Sequence, residues 1–528
     1  MLTRSEVLNH HGDLASLRAP EEADWQDLFD LLDPTQDVLS KESRRTRYEE
    51  LFDPTQMYAL DAYVGGIFGQ LSNPVMRWFE LGIDDPDLLE FTPVKEWLYG
   101  STSLLLRSLD ISSSNFYPEI SAFYADMGIT GLATLYQEED TGRGRILDRC
   151  ISINQTYIDD DAFGFVSVFH NVFQLKGNKL LQMFPNTPRV DEKRTYQIIH
   201  RVMETPDSEL GRHDAKPFYS IYVSPDLDTL EKRGGYYEFP YHVGRWKKRH
   251  DTPYASGPGH IARPDMTMLQ EMERTHIVAA NRAADPTLLA HSESDIRITD
   301  ITPGAVLYGA VNESGKPLLQ ALDRAQNLQL SMNQSEQRRA AIRQAFYFDL
   351  MQFFQRKEAT ATEFLGIQEE KLRLMGPNLI RVQSTLSSFI GRRYRLLERA
   401  GQLPPPPPEM AGKSLQVVYQ SPLAKAQQSA QARIAMQFAN GVAQLAQYSP
   451  DALDRLNVDA TIAVLHDGLG APPSVMTDLR MAEQTRQQRA QRQMQMEELA
   501  KTQTAVSIAA EASHAQQAAS AAKGRAQA

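Results

Sequence analysis

A chain of 528 residues with 42% hydrophobic and 23% charged side chains is long enough for two to four domains, too apolar to stay disordered, and without the bias of a collagen-like rod. Its one cysteine, Cys150, excludes an internal disulfide and a thiolate metal site. A formal charge of −12 argues against a general DNA-coating protein, because sequence-independent DNA affinity comes from Lys and Arg neutralising phosphates.

From the start of the chain, residues 20–110 are expected to be helical, with apolar positions such as Trp25, Leu28, Leu31 and Leu32 and breaks at Asp33-Pro34 and Asp53-Pro54. A helix over 57–71 ends before Pro74. Another is expected over 115–135, starting from Ser114 or Asn115, running through Ile120, Phe123, Tyr124 and Met127, and stopping at Gly128. From Leu132 the period changes to that of strands, expected at 133–136, 151–158 and 166–173. The last two are joined by the turn Asp159-Asp160-Asp161-Ala162-Phe163-Gly164. Alternation continues at 195–202 and 217–224, and Gly234-Gly235 is assigned to the connection before Tyr236-Tyr237.

Past Tyr254 the pattern is helical again. A helix over 261–284 stops before Asp285-Pro286, and a short alternating insert follows with Ile296, Ile298, Ile301 and Ala305-Val306-Leu307-Tyr308. A second helix, 335–354, aligns Ile342, Phe346, Leu350 and Phe353 on one face. A polar break, Gln355-Arg356-Lys357-Glu358-Ala359-Thr360-Ala361-Thr362, precedes a long helix over 363–399 that Gly376-Pro377 should kink or restart. Its stripe is Leu379, Val382, Leu386, Phe389, Arg393 and Leu397. Residues 404–408 form a rigid polyproline spacer, followed by an Ala/Gln-rich helical region over 422–467 and a tail from about 480 that is either a peripheral helix or disordered. The fold class is α+β, mainly helical.

Chemistry is sparse. His242, His250, His260, His276 and His291 show no zinc spacing, so no metal site is assigned. Asp159-Asp160-Asp161 reads as a solvated turn rather than a cation site. No phosphate-binding glycine loop, dinucleotide fingerprint or nucleophile elbow occurs, and no cofactor is expected. Cys150 reads as a small buried hydrophobe in a strand. Arg245-Trp246-Lys247-Lys248-Arg249-His250 pairs charge with a ring, which suits phosphate contact or, equally, a loop or subunit contact. The opening residues lack the order of a signal peptide and no stretch is long and uncharged enough for a bilayer, so a soluble protein of a reducing compartment is expected.

The order of these elements resembles the head-to-tail connector, or portal, proteins of short-tailed bacteriophages, the podoviruses. The resemblance rests on Leu71-Ser72-Asn73-Pro74-Val75-Met76-Arg77-Trp78-Phe79-Glu80-Leu81, on Asn115-Phe116 with Gly128-Ile129-Thr130-Gly131-Leu132 and the strand after it, and on Asp161-Ala162-Phe163-Gly164. It extends through residues 240–246 to Tyr254, Gly257 and Pro258, where Tyr254-Ala255-Ser256-Gly257-Pro258 departs from the family's usual Tyr-Gly-Arg-x-Pro. It implies a portal-type fold with a wing (1–255), a first stem helix (256–284), a clip (285–330), a second stem helix (331–354) and a channel loop (355–362). A long kinked wing helix (363–403), the polyproline spacer (404–408) and a crown or barrel with the Ala/Gln-rich tail (409–528) complete it.

The implied function is a non-enzymatic DNA channel at one capsid vertex, a dodecameric ring serving packaging, tail attachment and ejection of double-stranded DNA. Implied partners are terminase, a tail adaptor, the major capsid and scaffolding proteins and internal core or ejection proteins, with no membrane; the location is the virion, and the host cytoplasm during assembly. Gln355, Arg356, Lys357, Glu358 and Thr360 would form the DNA-channel loop. Ile296, Ile298, Val306, Leu307 and Tyr308 would pack across subunits in the clip, where terminase and adaptor bind. A helical scaffold or adaptor of a virion or other assembly is the competing reading; it leaves the strand-rich region unexplained.

Overall fold

The computed structural model describes residues 3–36, 49–89, 91–110, 112–140, 142, 144–206, 216–284, 288–290, 311, 314, 316, 319–321, 328–352, 361–420, 422–446, 448–477, 481–498, 506, 508 and 513. They form two compact units. The first comprises residues 1–80, 102–403 and 416–426, and the second 81–101, 404–415 and 427–528.

The first unit opens with α1 (Arg4–Leu32), which starts on a capping box between Thr3 and Glu6. It continues through Pro20 and stops at Asp33 as expected. α2 (Thr55–Leu71) follows, then β1 (Phe79–Ile83), the short α3 (Pro86–Leu89) and α4 (Thr92–Leu109); the chain enters the second unit within β1 and leaves it within α4. α5 (Phe116–Ile129) is buried along nearly its whole length. The Ser114 hydroxyl, not the Asn115 side chain, accepts the Phe116 amide at its start. The expected stop at Gly128 is corrected to Thr130 and Gly131, and the expected reach to residue 135 to β2, which begins at Leu132. Gly131 makes this turn: its φ is +77°, and a Cβ there would lie 2.2 Å from the Ser256 carbonyl carbon, so no other residue fits without moving backbone.

β2 (Leu132–Asp140) is the centre of an antiparallel sheet ordered β3-β2-β9, with β3 (Arg145–Ile151) and β9 (Tyr241–Arg245). β3 differs from the expected strand over 151–158: the chain bends through a 3₁₀ turn (Ile153–Gln155) and re-enters as β4 (Thr156–Asp160). β4, β5 (Val166–Lys176), β6 (Thr195–Glu204), β7 (Phe218–Val223) and β8 (Glu231–Tyr236) form a five-stranded antiparallel meander, with α6 (Gly177–Met183) after β5. The expected hairpin turn is present: Asp161 Oδ1 accepts the amides of Phe163 (2.8 Å) and Phe165 (2.9 Å), and Gly164 has φ +85°. Gly234 and Gly235 lie within β8 and not in a connection. The alternation of these strands buries both faces. One packs Val172, Ile199, Ile221 and Val223 against Val7 of α1, and the other gathers Leu180, Phe184, Tyr196, Ile198 and Tyr222.

After β10 (Lys247–Lys248) and β11 (Ala255–Ser256) comes α7 (Pro258–Ala284), antiparallel in sequence order to α8 (Leu328–Ala345) across a two-strand ladder of β12 (Leu288–Ala290) and β13 (Leu319–Ala321). The single helix expected over 335–354 is interrupted. Tyr347 takes φ +56° and α9 (Phe348–Gln352) restarts after it, so Ile342, Phe346 and Met351 are the buried positions and Leu350 is not. α10 (Ala361–Arg399) passes Pro377 without restarting, and its expected stripe of Leu379, Val382, Leu386, Phe389, Arg393 and Leu397 is buried throughout. β14 (Leu415–Tyr419) lies near the end of this unit's chain.

In the second unit the Trp97 indole donates to the Pro404 carbonyl (3.0 Å), fixing the start of the polyproline stretch, and Lys413 pairs with Asp85 (2.9 Å). Most of α11 (Pro422–Ala446) belongs here with α12 (Val458–Leu469), which Asn457 caps and Gly470 ends. Ser429 donates to the Gly468 carbonyl (3.0 Å), and a further helix over 481–498 is tied back by Arg486 to Asp459 (2.6 Å).

Candidate functional site

α7 and α8 are the candidate functional elements, because they bracket the one insert that the sequence sets between two amphipathic helices. Met266, Leu269, Ile342 and Phe346 are buried along them. Charge does the rest of the fixing. Arg339 of α8 reaches Asp53 (2.9 Å) and Glu273 (2.8 Å), Arg338 reaches Asp265 (2.7 Å), and Arg263 of α7 reaches Asp24 (2.6 Å) and Asp27 (2.5 Å) of α1. Burial works against ionisation of Asp53, but hydrogen bonds from Thr55 and Arg339 outweigh it and hold the carboxyl below its ordinary value. Gln270 completes the joint: its Oε1 accepts the amides of Phe52 (2.7 Å) and Asp53 (3.0 Å), and its Nε2 donates to the Asp53 carbonyl (2.7 Å).

The outer side of the pair is open and carries apolar side chains among exposed charges such as Glu271 and Arg274. Ile261 is 66% exposed and Met332 61%, with Met268, Ile277 and Val278 also outward. A shallow cleft of about 650 Å³ runs along α7 past His260, Pro264, Met268 and Met272. The expected clip residues Ile296, Ile298, Val306, Leu307 and Tyr308 and the expected channel-loop residues Gln355, Arg356, Lys357, Glu358 and Thr360 lie outside the described residues.

Part of the basic cluster is spent inside the fold. Arg245 pairs with Asp160, Lys248 with the same carboxylate (2.8 Å) and with the Gly164 carbonyl (2.7 Å), and Arg249 with Glu21 (2.8 Å) and Asp251 (3.2 Å), while Trp246 is buried. It ties the β4-β5 turn to the end of β9, while Lys247, Lys248 and His250 keep exposed surface. The Cys150 thiol lies 3.7 Å from Asp126 Oδ2, and burial with the Asp126 and Glu119 charges pushes it well above its ordinary range, which suits a packed thiol and not a nucleophile. Among the described residues no group of three His, Cys, Asp or Glu side chains is arranged to hold a metal.

One constellation escaped the sequence. Arg393, on the apolar stripe of α10, is buried against Asp148 of β3 (2.7 Å) and donates to the Ser108 hydroxyl (2.8 Å) and carbonyl; Ser114 (2.6 Å) and Gln137 (3.2 Å) satisfy the rest of the carboxylate. The signal was available: an arginine at a stripe position needs a buried carboxylate. A cleft of about 830 Å³ opens beside this pair, lined by Arg107, Arg145 and Glu139 among others. Together these contacts tie α4, β2, β3 and α10 to one another.

A family model described as "Bacteriophage head to tail connecting protein" matches residues 4–476. The portal protein of Salmonella phage epsilon15 is 26% identical over 95% of this chain and 94% of its own length. The probable portal protein of Bordetella phage BPP-1 is 24% identical over 94% and 93%. Among solved structures, a neck of an empty gene-transfer-agent particle covers 72% of this chain and 86% of its own, at 10% identity and a TM-score of 0.39.

Proposed function

Since the chain belongs to the bacteriophage head to tail connecting protein family, we propose that it is the portal subunit of a phage head, joining capsid to tail at one vertex. The observation that carries this is the co-linear match of 26% identity along 95% of the chain to a portal protein. An α+β body followed by two ion-paired helices that bracket an insert gives it physical sense. Copies arranged as a ring, twelve by the family resemblance, place α7 and α8 as stem helices, residues 285–330 as the clip and 355–362 as the channel loop. Exposed apolar side chains on the outer side of α7, Ile261 and Met268 among them, support burial against a neighbouring copy. Double-stranded DNA passes through the ring, and terminase and then a tail adaptor engage the clip. The chain's acidity suits a sliding conduit, since strong phosphate affinity hinders passage. The role is structural, without turnover of its own.

Negative-stain imaging with native mass spectrometry of the purified chain tests this. Rings with an axial hole are expected; monomers, dimers or filaments at micromolar concentration overturn the reading, and so does ATPase or nuclease turnover abolished by a point substitution in this chain.

A further inference from the structure

α1 lies across one face of the five-stranded sheet, and its inner side carries Val7, His10, His11, Leu14 and Arg18. Beneath it the register sets a row across three strands: Tyr157 of β4 opposite His170 of β5, and His170 opposite Arg201 of β6. The His170 ring is 5.5 Å from that of His10 and 5.7 Å from that of His11, centroid to centroid, and His11 stands edge-on to Tyr157 at 4.7 Å. His170 is fully buried with neither ring nitrogen hydrogen-bonded, and Nδ1 of His10 and of His11 and Nε of Arg201 are likewise buried without a partner. The hydrogen bond Arg201 does make goes to the Met203 sulfur (3.3 Å). Such a concentration of unpaired buried nitrogens, four of them on three titratable rings beside a guanidinium, is costly and is not explained by packing.

The groups facing the cluster set its sign. α1 contributes Glu6, Asp13, Arg18 and Glu22, with Arg18 engaged by Glu22 (3.0 Å) and stacked over Tyr157 (4.3 Å). β4 contributes Asp159, whose carboxylate stands 3.9 Å from His10 Nε2; β6 contributes Arg201 and, on the opposite face, His200; β7 contributes Tyr219. Asp159 and Asp13, the carboxylates that favour a charged imidazole here, act on His10 at the rim, while the deepest ring, His170, faces an arginine.

We propose that this seam is a proton-operated latch: protonation of His170, with His10 and His11, releases the first half of α1, residues 4–18, from the sheet while the rest of the unit stays folded. A charged His170 would sit directly across the ladder from Arg201, where like charges repel. Burial first, then Arg201, holds His170 well below the ordinary imidazole range; burial and Arg201 lower His10 against the opposing pull of Asp159 and Asp13, and burial, Arg18 and His10 lower His11. Because the docked pKa values lie below the free value of about 6.5, docking is unaffected above pH 6.5 and weakens as pH falls beneath it, about tenfold per pH unit for each proton that only the released state binds. The distal half of α1 is held independently by Arg263 on Asp24 and Asp27, Arg249 on Glu21 and the edge contact of Trp25 with Tyr254. The proximal half is anchored by Arg4 to the Ser224 carbonyl (2.8 Å) and Asp228 (2.9 Å), contacts its release breaks.

Hydrogen exchange of the full chain, corrected for intrinsic rates and compared at pH 7.5 and pH 5, reads this directly. Amides of residues 7–18 are expected to lose at least tenfold in protection at pH 5, while α5 and α10 keep theirs. His170→Phe keeps an aromatic ring in the seam and should flatten the pH response; the double variant His10→Gln/His11→Gln, which leaves the strand untouched, should reduce it. The latch is refuted by equal protection of residues 7–18 at both pH values, by α5 and α10 opening together with them, or by an unaltered pH response in both variants.

Discussion

The Arg393–Asp148 pair illustrates what a single buried charge demands of its neighbours. Both side chains are essentially without solvent contact, so each is tolerable only because the other, Ser108, Ser114 and Gln137 satisfy it. Asp148→Ala, leaving the guanidinium without its counter-charge, is expected to cost about 3–5 kcal/mol in urea unfolding. Arg393→Met with Asp148→Leu should recover much of that loss; a double variant as unstable as the single one would count against the pairing account. Asp126 poses the opposite problem. Burial is the main cause that raises its carboxyl to about 7. The folded chain therefore holds this proton between the free value near 3.9 and pH 7, and the penalty of ionisation grows as pH rises through that window and is complete above it. Asp126→Asn should accordingly stabilise at pH 8 by a few kcal/mol and give no gain at pH 4, and unfolding curves at the two values decide it. Arg393 was legible as a stripe position but its partner Asp148 was not, nor was the state of Asp126, because partners distant in the chain set both.

At the scale of elements, amphipathic stripes were readable and their interruptions were not. The stripe of α10 is buried as the spacing implies, since a 3–4 repeat fixes a face whatever packs on it. The break at Tyr347 leaves no such mark: a non-glycine residue at positive φ persists only where its surroundings over-determine it, and the Tyr347 ring is held near Trp246 (6.3 Å). Only the end of the strand Arg145–Ile151, at Cys150 and Ile151, was read from sequence, because Arg145, Asp148 and Arg149 obscure its alternation. The joint at Gln270 was equally silent, an amide on a helix satisfying the backbone of residues 52 and 53. Gln270→Ala strips partners from two amides and a carbonyl, two of these contacts buried. It should cost about 2–4 kcal/mol and loosen α7 first, visible as faster hydrogen exchange there than in α5. Gln270→Glu, which restores the acceptor alone, should recover part of the loss.

At the scale of the whole molecule, ancestry was legible through the order of weak motifs rather than through any one of them. The proposed channel loop carries Arg356 and Lys357, which repeated around a ring give a salt-sensitive field that brakes DNA without gripping sequence. Arg356→Ala with Lys357→Ala should leave rings intact in electron micrographs and lower the retention of packaged DNA; full genome content and retention in particles built from the double variant would reject that role. Cys150 carries a last consequence. A sole thiol, on a half-buried residue and held away from its thiolate by burial, Asp126 and Glu119, reports on subunit opening. Alkylating reagents should modify it slowly in the native assembly and faster as the subunit unfolds. Cysteines introduced on the exposed side of α7 could then be labelled with fluorophores, one per subunit, without first removing the native one.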